Sequence, residues 1–206
     1  MKKLLIALFL AAVGVLLSWP AGAQTVIFDF DAPGLTAGQG IPLLLTSVGV
    51  TAFLSSPGGA VYSLQRDSTT GFRLSQFSGL YLYPNTAVAN ALDIQFSQPL
   101  SAITLTFATA DFQQVEVPTT VQLTAYQDST GNPAVGSATA HGTYAGDTMP
   151  MGMLTFSSTV QFNMMRLEIP SQPNAASGFL VDNISVTTVA STQVFRVRKH
   201  LRRSTP

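Results

Sequence analysis

The chain has 206 residues, no cysteine, and ten basic against ten acidic side chains. The lack of thiols excludes disulfides, iron–sulfur clusters, thiolate zinc sites and cysteine nucleophiles. The balanced charge is segregated, because between Gln24 and Phe195 only Arg66, Arg73 and Arg166 oppose all ten carboxylates. That acidic body repels nucleic acid.

In chain order, Lys2 and Lys3, the apolar run Leu4 to Leu17, and Ala21-Gly22-Ala23 before Gln24 have the three parts of a signal peptide. Cleavage is expected after Ala23, and the apolar core is shorter than the ~20 residues a membrane-spanning helix needs. The expected product is a bacterial protein, secreted to the exterior or held in the periplasm, with no transmembrane anchor.

Period-two patterns rich in Val, Ile, Thr, Phe and Tyr then recur along the chain, and helical periodicity is absent. They predict strands at Thr25 to Asp31, Ser47 to Leu54, Ala60 to Gln65, Gly79 to Tyr83, Leu92 to Phe96 and Ala102 to Ala108. Further strands are predicted at Thr120 to Gln127, Ala134 to Tyr144, Met153 to Ser157, Gln161 to Ile169 and Phe179 to Thr187. Turn formers such as Pro57-Gly58-Gly59, Gln98-Pro99 and Gly131-Asn132-Pro133 separate them. Ile103, Leu105 and Phe107 alternate with Thr104 and Thr106, as a sheet buried on one face requires. The expectation is an all-β fold, an antiparallel two-sheet β-sandwich of the jelly-roll kind, preceded by a signal-peptide helix. The partition is signal peptide over 1–23, sandwich over 24–190, and a basic tail over 191–206 that offers electrostatic contact but little apolar area.

A sugar-binding patch is one candidate site. Tyr81 and Tyr83 share a face by alternation, and Asn85 and Arg73 are near in sequence, so rings could stack on pyranose faces while amide and guanidinium groups read hydroxyls. The same face read as core would place those rings inside. Catalytic material is thin: His141 is the only histidine before the tail, there is no Gly-x-Ser-x-Gly elbow, and Glu116 and Glu168 are the only glutamates. The expectation is a non-enzyme, with a glycoside-acting enzyme as the third choice. The methionines Met149, Met151, Met153, Met164 and Met165 are read as core filling.

Three blocks, Phe28-Asp29-Phe30-Asp31, Ser47 to Phe53 and Gly178-Phe179-Leu180-Val181-Asp182-Asn183-Ile184-Ser185-Val186, resemble bacterial exoproteins of the PEP-CTERM type. Thr106 to Asp111 and Leu123 to Tyr126 fit the same pattern. The Pro-Glu-Pro tripeptide and the apolar helix of that type do not occur at the end of this sequence, so anchoring by that route is not expected. The resemblance implies a galactose-binding-like jelly-roll domain whose early acidic strand end lies close to its last strand. It thereby implies a structural calcium site at Asp29, Asp31 and Asp182, with Asn183 beside them, since hard cations take several converging oxygens. The alternative is that Asp31 caps a turn and Asp182 bonds loop amides. The functional expectation is a secreted module that binds a glycan or matrix component. The alternative is a structural or protein-interaction module of the cell surface.

Overall fold

The computed structural model describes residues 22–59, 61–86, 91–172 and 175–190. The expectations for the signal peptide and the basic tail fall on 1–21 and 191–206, outside the described residues. Gln24–Val189 is one compact unit. Among the described residues no helix is long and apolar enough to cross a membrane.

The unit is built of antiparallel strands: β1 (Thr25–Phe28), β2 (Leu43–Ser47), β3 (Val50–Ser55), β4 (Tyr62–Gln65), β5 (Tyr81–Pro84), β6 (Ala91–Thr109), β7 (Thr120–Tyr126), β8 (Ala134–His141), β9 (Met151–Glu168) and β10 (Phe179–Thr188). One four-residue helix, α1 (Asp67–Thr70), interrupts them and ends at Gly71 in a left-handed cap.

Two long strands organise the fold. β6 and β9 pair along both halves, but the ladder breaks in the middle, where Gln95↔Met164, Leu100↔Phe162 and Ala102↔Ser157 are successive partners. Between the first two pairs β6 carries the surplus residues; between the second two β9 carries them. These paired bulges bend both strands, so that each half enters a different layer. The first half of β6 pairs with β3, which pairs with β2, and the second half of β9 pairs with β7, which pairs with β8. The second half of β6 pairs with β10, which carries β1 and β5, and β5 pairs with β4.

The two layers face each other across one core. Leu92, Ile94 and Phe96 from one half of β6, and Ile103, Leu105 and Phe107 from the other, are buried in it together with Val121, Leu123 and Ala125 of β7. Phe28 of β1 meets Phe96 at 5.7 Å between ring centroids, joining the layers directly. Thr104, on the opposite face, bonds Thr155 Oγ1 across the strands at 3.0 Å. The alternation is thus the cause of the sandwich, since each fully buried Leu, Ile or Phe contributes roughly 1.5–3 kcal/mol.

A second, smaller cluster lies behind the β5–β10–β6–β9 layer. Leu74, Tyr81, Ala108, Met149, Met151 and Leu180 form it, with Phe72, Phe77 and Tyr83 packed at its margin. The segment after β4, which includes α1, supplies Phe72, Leu74 and Phe77 as its cover.

The structure corrects several strand expectations. Two predicted pairs of strands are single bent strands, β6 and β9. The expected strand from Ser47 begins inside a turn: Ser47 pairs with Val50, and the two residues between, Val48 and Gly49, have φ of 46° and 78°. Positive φ at both central positions makes it a type I′ hairpin. β2, in front of that turn, was not anticipated.

Candidate functional site

The acidic corner forms where β1 ends and β10 passes it. Asp29 Oδ1 accepts the Asp31 N–H at 2.5 Å, and Asp31 Oδ1 accepts the Leu80 N–H at 2.8 Å. Asp182 is almost fully buried (1 % exposed). Its Oδ2 accepts the Ser78 N–H and Asn183 Nδ2, both at 3.0 Å, and its Oδ1 accepts the Asn183 N–H at 2.8 Å. Asn183 has φ of 51° and its Nδ2 also reaches the Gln76 carbonyl at 3.3 Å. The register of β10 on β6 shifts between Asp182 and Ser185, which turns both polar side chains toward the Gln76–Leu80 loop.

Burial pushes the Asp182 carboxyl up to about 7; the two backbone N–H bonds oppose that rise, and the nearby charges of Asp29 and Asp31 add to it. Asp29 and Asp31 lie near enough to Asp182 for their charges to act on it. Gly79, at φ +59°, sits directly on the Asp31 carboxylate, so close that a Cβ there would lie 1.9 Å from Oδ2. Gly79 thus covers one side of the Asp31 carboxylate, while Asp29 and Asp31 also line an open cleft of about 290 Å³ with Ala32, Pro33 and Thr46. Among the described residues no group of three or more histidine, cysteine or carboxylate side chains is arranged to hold a metal ion. Asp31 and Asp182 hold the loop leading into β5 through the Leu80 and Ser78 N–H groups, and Asp29 accepts the Asp31 N–H.

β5 carries the predicted sugar-binding tyrosines. They share a face, but at different depths. Tyr81 is buried in the second cluster (1 % exposed), its hydroxyl 2.7 Å from Thr70 Oγ1 and its ring 5.2 Å from that of Phe77. Burial raises its hydroxyl to about 12. Tyr81 is therefore a core residue and leaves the candidate set. Arg73 is held elsewhere: its guanidinium bonds the Gly146 carbonyl, and its backbone N–H is 2.9 Å from Thr148 Oγ1.

Tyr83 and Asn85 remain. Together with Pro84, Thr86, Ala110, Phe112, Ser177 and Gly178 they line an open cleft of about 220 Å³. Asn85 is fixed by its Nδ2 on Ser63 Oγ at 2.8 Å and its N–H on the Val61 carbonyl at 2.8 Å. Phe72 stands 6.0 Å from Tyr83 and 5.7 Å from Phe112, linking the three rings in one row. Phe112 is 58 % exposed.

Phe112 is positioned by its neighbour. The buried Asp111 carboxylate accepts Thr109 Oγ1 at 2.6 Å, Thr119 Oγ1 at 2.9 Å and the Thr119 N–H at 3.0 Å. These bonds close the loop between β6 and β7 at its base, and the Tyr144 hydroxyl bonds the Asp111 carbonyl at 2.9 Å. The sequence signal for Phe112 was an aromatic set in the polar run Asp111-Phe112-Gln113-Gln114 just past a strand end. Of the acid–base candidates, Glu116 lies in this exposed loop. Glu168 lies on β9, facing Gln122 of β7, and His141 is exposed at the end of β8.

No protein-family model matches the chain, and no curated protein matches it in sequence. Solved structures similar to it include a family 35 carbohydrate-binding module from Clostridium thermocellum, at 16 % identity over 80 % of this chain and 98 % of that one, with a TM-score of 0.38. A family 6 module from Cellvibrio mixtus lichenase 5A, in complex with cellotriose, matches at 13 % identity over 66 % and 91 %, TM-score 0.34. The catalytic domain of a GH87 alpha-1,3-glucanase variant with tetrasaccharides matches at 11 % identity over 84 % of this chain but 30 % of that one, TM-score 0.43. At these scores the likenesses say nothing about what the chain binds.

Proposed function

We propose that the protein is an exported, non-catalytic module that binds a glycan in the cleft lined by Tyr83 and Phe112, whose rings Phe72 joins. The observation that carries this reading is the row of three neighbouring rings, one largely exposed, beside the fixed amide of Asn85 and the hydroxyl-bearing Thr86 and Ser177. Sugar C–H faces stack on such rings, while amides and hydroxyls exchange hydrogen bonds with sugar hydroxyls. The clamp on the Gln76–Leu80 loop fixes the start of β5, and the Asp111 knot fixes the base of the Phe112 loop. Preorganisation of this kind lowers the ordering cost of binding.

The test is calorimetric titration of the purified protein with soluble oligosaccharides chosen from a broad glycan panel. Selective binding that Tyr83→Ala or Phe112→Ala weakens at least tenfold is expected. Absence of binding across the panel, or affinity indifferent to both substitutions, refutes the reading.

A protein-interaction role is the second reading, and one observation favours it. Phe112, Val115 and Val117, all in the β6–β7 loop, are exposed by 58 %, 36 % and 71 %, an apolar tip of the kind that marks contact surfaces.

A further inference from the structure

The bend that divides β6 and β9 between the layers leaves a second opening. Where both strands bulge, Gln127, Asp128, Gln161, Phe162 and Asn163, with Pro99 at the rim, line an open cleft of about 210 Å³. Hydrogen bonds tie the walls to neighbouring strands. The Asn163 N–H bonds the Gln127 carbonyl at 3.2 Å, joining β9 to the end of β7. The β6 bulge is tied to the β2–β3 hairpin by Gln98 Nε2 on the Gly49 carbonyl at 3.1 Å and by the Thr51 N–H on Ser97 Oγ at 2.9 Å. Gln127, Asp128 and Gln161 are exposed, so their polar ends are free to meet a solute.

The wall formed by the exposed Gln127 and Gln161 carboxamides and the Asp128 carboxylate supplies both donors and acceptors. It carries no cation and no exposed ring, so it suits neither an anion nor an aromatic ligand. What it matches is a small neutral molecule bearing several adjacent hydroxyls, each of which donates and accepts. The volume, below the roughly 300 Å³ at which drug-sized pockets begin, matches about one sugar ring. Paired bulges that re-aim side chains are a recurrent way of building such sites.

We propose that this cleft is a separate binding site for a single polyhydroxylated unit, a monosaccharide or the terminal residue of a glycan. It stands apart from the Tyr83 cleft: Pro99 and Ala110, just past the end of β6, are separated by roughly 36 Å of extended chain at about 3.3 Å per residue. It does not rest on that cleft's function.

The experiment is titration of the ¹⁵N-labelled protein with D-glucose, D-galactose and D-mannose to 50 mM, following the side-chain NH₂ resonances of Gln127, Gln161 and Asn163. At least one sugar is expected to shift the Asn163 and Gln161 signals saturably. Asp128→Ala and Gln161→Ala should each weaken that response five- to tenfold, and Tyr83→Ala should leave it unchanged. Because Asp128 and Gln161 are exposed, these variants are expected to fold. No saturable shift at these amides with any of the three sugars overturns the proposal, as does a response that Asp128→Ala and Gln161→Ala both leave intact. A response only at Tyr83 and Asn85 also overturns it, while leaving the glycan reading of the other cleft standing.

Discussion

Asp182 ties the fold to pH in a direction that can be worked out. Its carboxyl titrates near 7 in the folded protein, chiefly because it is buried, against 3.8 as the ordinary value. Since the folded value is the higher one, the folded state holds a proton that the unfolded chain has released between those two limits. The stability contributed by the protonated form is fully present below about pH 4 and is lost as pH rises through about 7. Three units at about 1.4 kcal/mol each give a ceiling of about 4 kcal/mol. Against a total of about 5–15 kcal/mol for a typical domain, that is a large share. With a urea slope of about 2–3 kcal/mol per molar, the midpoint should fall on the order of 1–2 M between pH 4 and pH 8. Asp182→Asn keeps the shape of the side chain and removes its ionisation. Urea unfolding of both proteins across this range should therefore give a falling line for the native chain and a flatter one for the variant. Any other group titrating in the window is common to both and cancels in the difference. Parallel lines would refute the argument, showing that the three N–H donors around the carboxylate offset its burial.

Val48 occupies the first central position of a type I′ turn at φ 46° and is 67 % exposed. Val48→Asn should raise the thermal midpoint by about 2–4 °C, roughly 1 kcal/mol of relieved strain, and a midpoint that falls in calorimetry would contradict the turn assignment. Gly79→Ala meets both a left-handed φ and the Asp31 carboxylate. It should destabilise by on the order of 4 kcal/mol, and a variant unfolding within 1 °C of the native chain would show that the loop is not clamped as described. Millimolar calcium should leave the thermal midpoint of the native chain unchanged, because Asp31 and Asp182 already accept loop N–H groups; a calcium-dependent rise of several degrees would show that the loop yields to an ion.

The strands legible in the sequence are those whose burial alternates, and the reason is the two-residue repeat itself. Leu123 and Ala125, or Ile103, Leu105 and Phe107, can face the core only as a strand. β2 was hidden because Leu43-Leu44-Leu45 is an unbroken apolar run, with Leu44 turned outward at 63 % exposure, and because Val at a positive-φ turn position disguises the hairpin that ends it. Gln98-Pro99 reads as a chain break, yet it is a bulge within β6, where a missing N–H costs no ladder bond. At the site, alternation put Tyr81 and Tyr83 on one face, whereas the nearness of the blocks around Asp31 and Asp182 was implied by the resemblance and not by any local pattern. Alternation could not supply depth. Tyr81 is covered by Phe77 and Leu74, which arrive from a segment without periodicity, and Asp31 is covered by Gly79, whose approach depends on a loop path that no local pattern encodes.

Both clefts occur where strand pairing fails, and this follows from how the molecule is filled. The interior of the sandwich is occupied by interlocking side chains from both layers, so a ligand can gain concave contact only where a ladder ends or splits. β6 provides both places. Its end at Thr109 releases Ala110 and Phe112 to face Tyr83 and Asn85, and its central bulge separates Pro99 from Gln161 and Asn163. The same strand buries Leu100, Ile103, Leu105 and Phe107 between those points, which makes the segment joining the two openings one of the most firmly held in the domain. Neither rim then has to be ordered by its ligand, and each can be altered by exposed substitutions without disturbing the other.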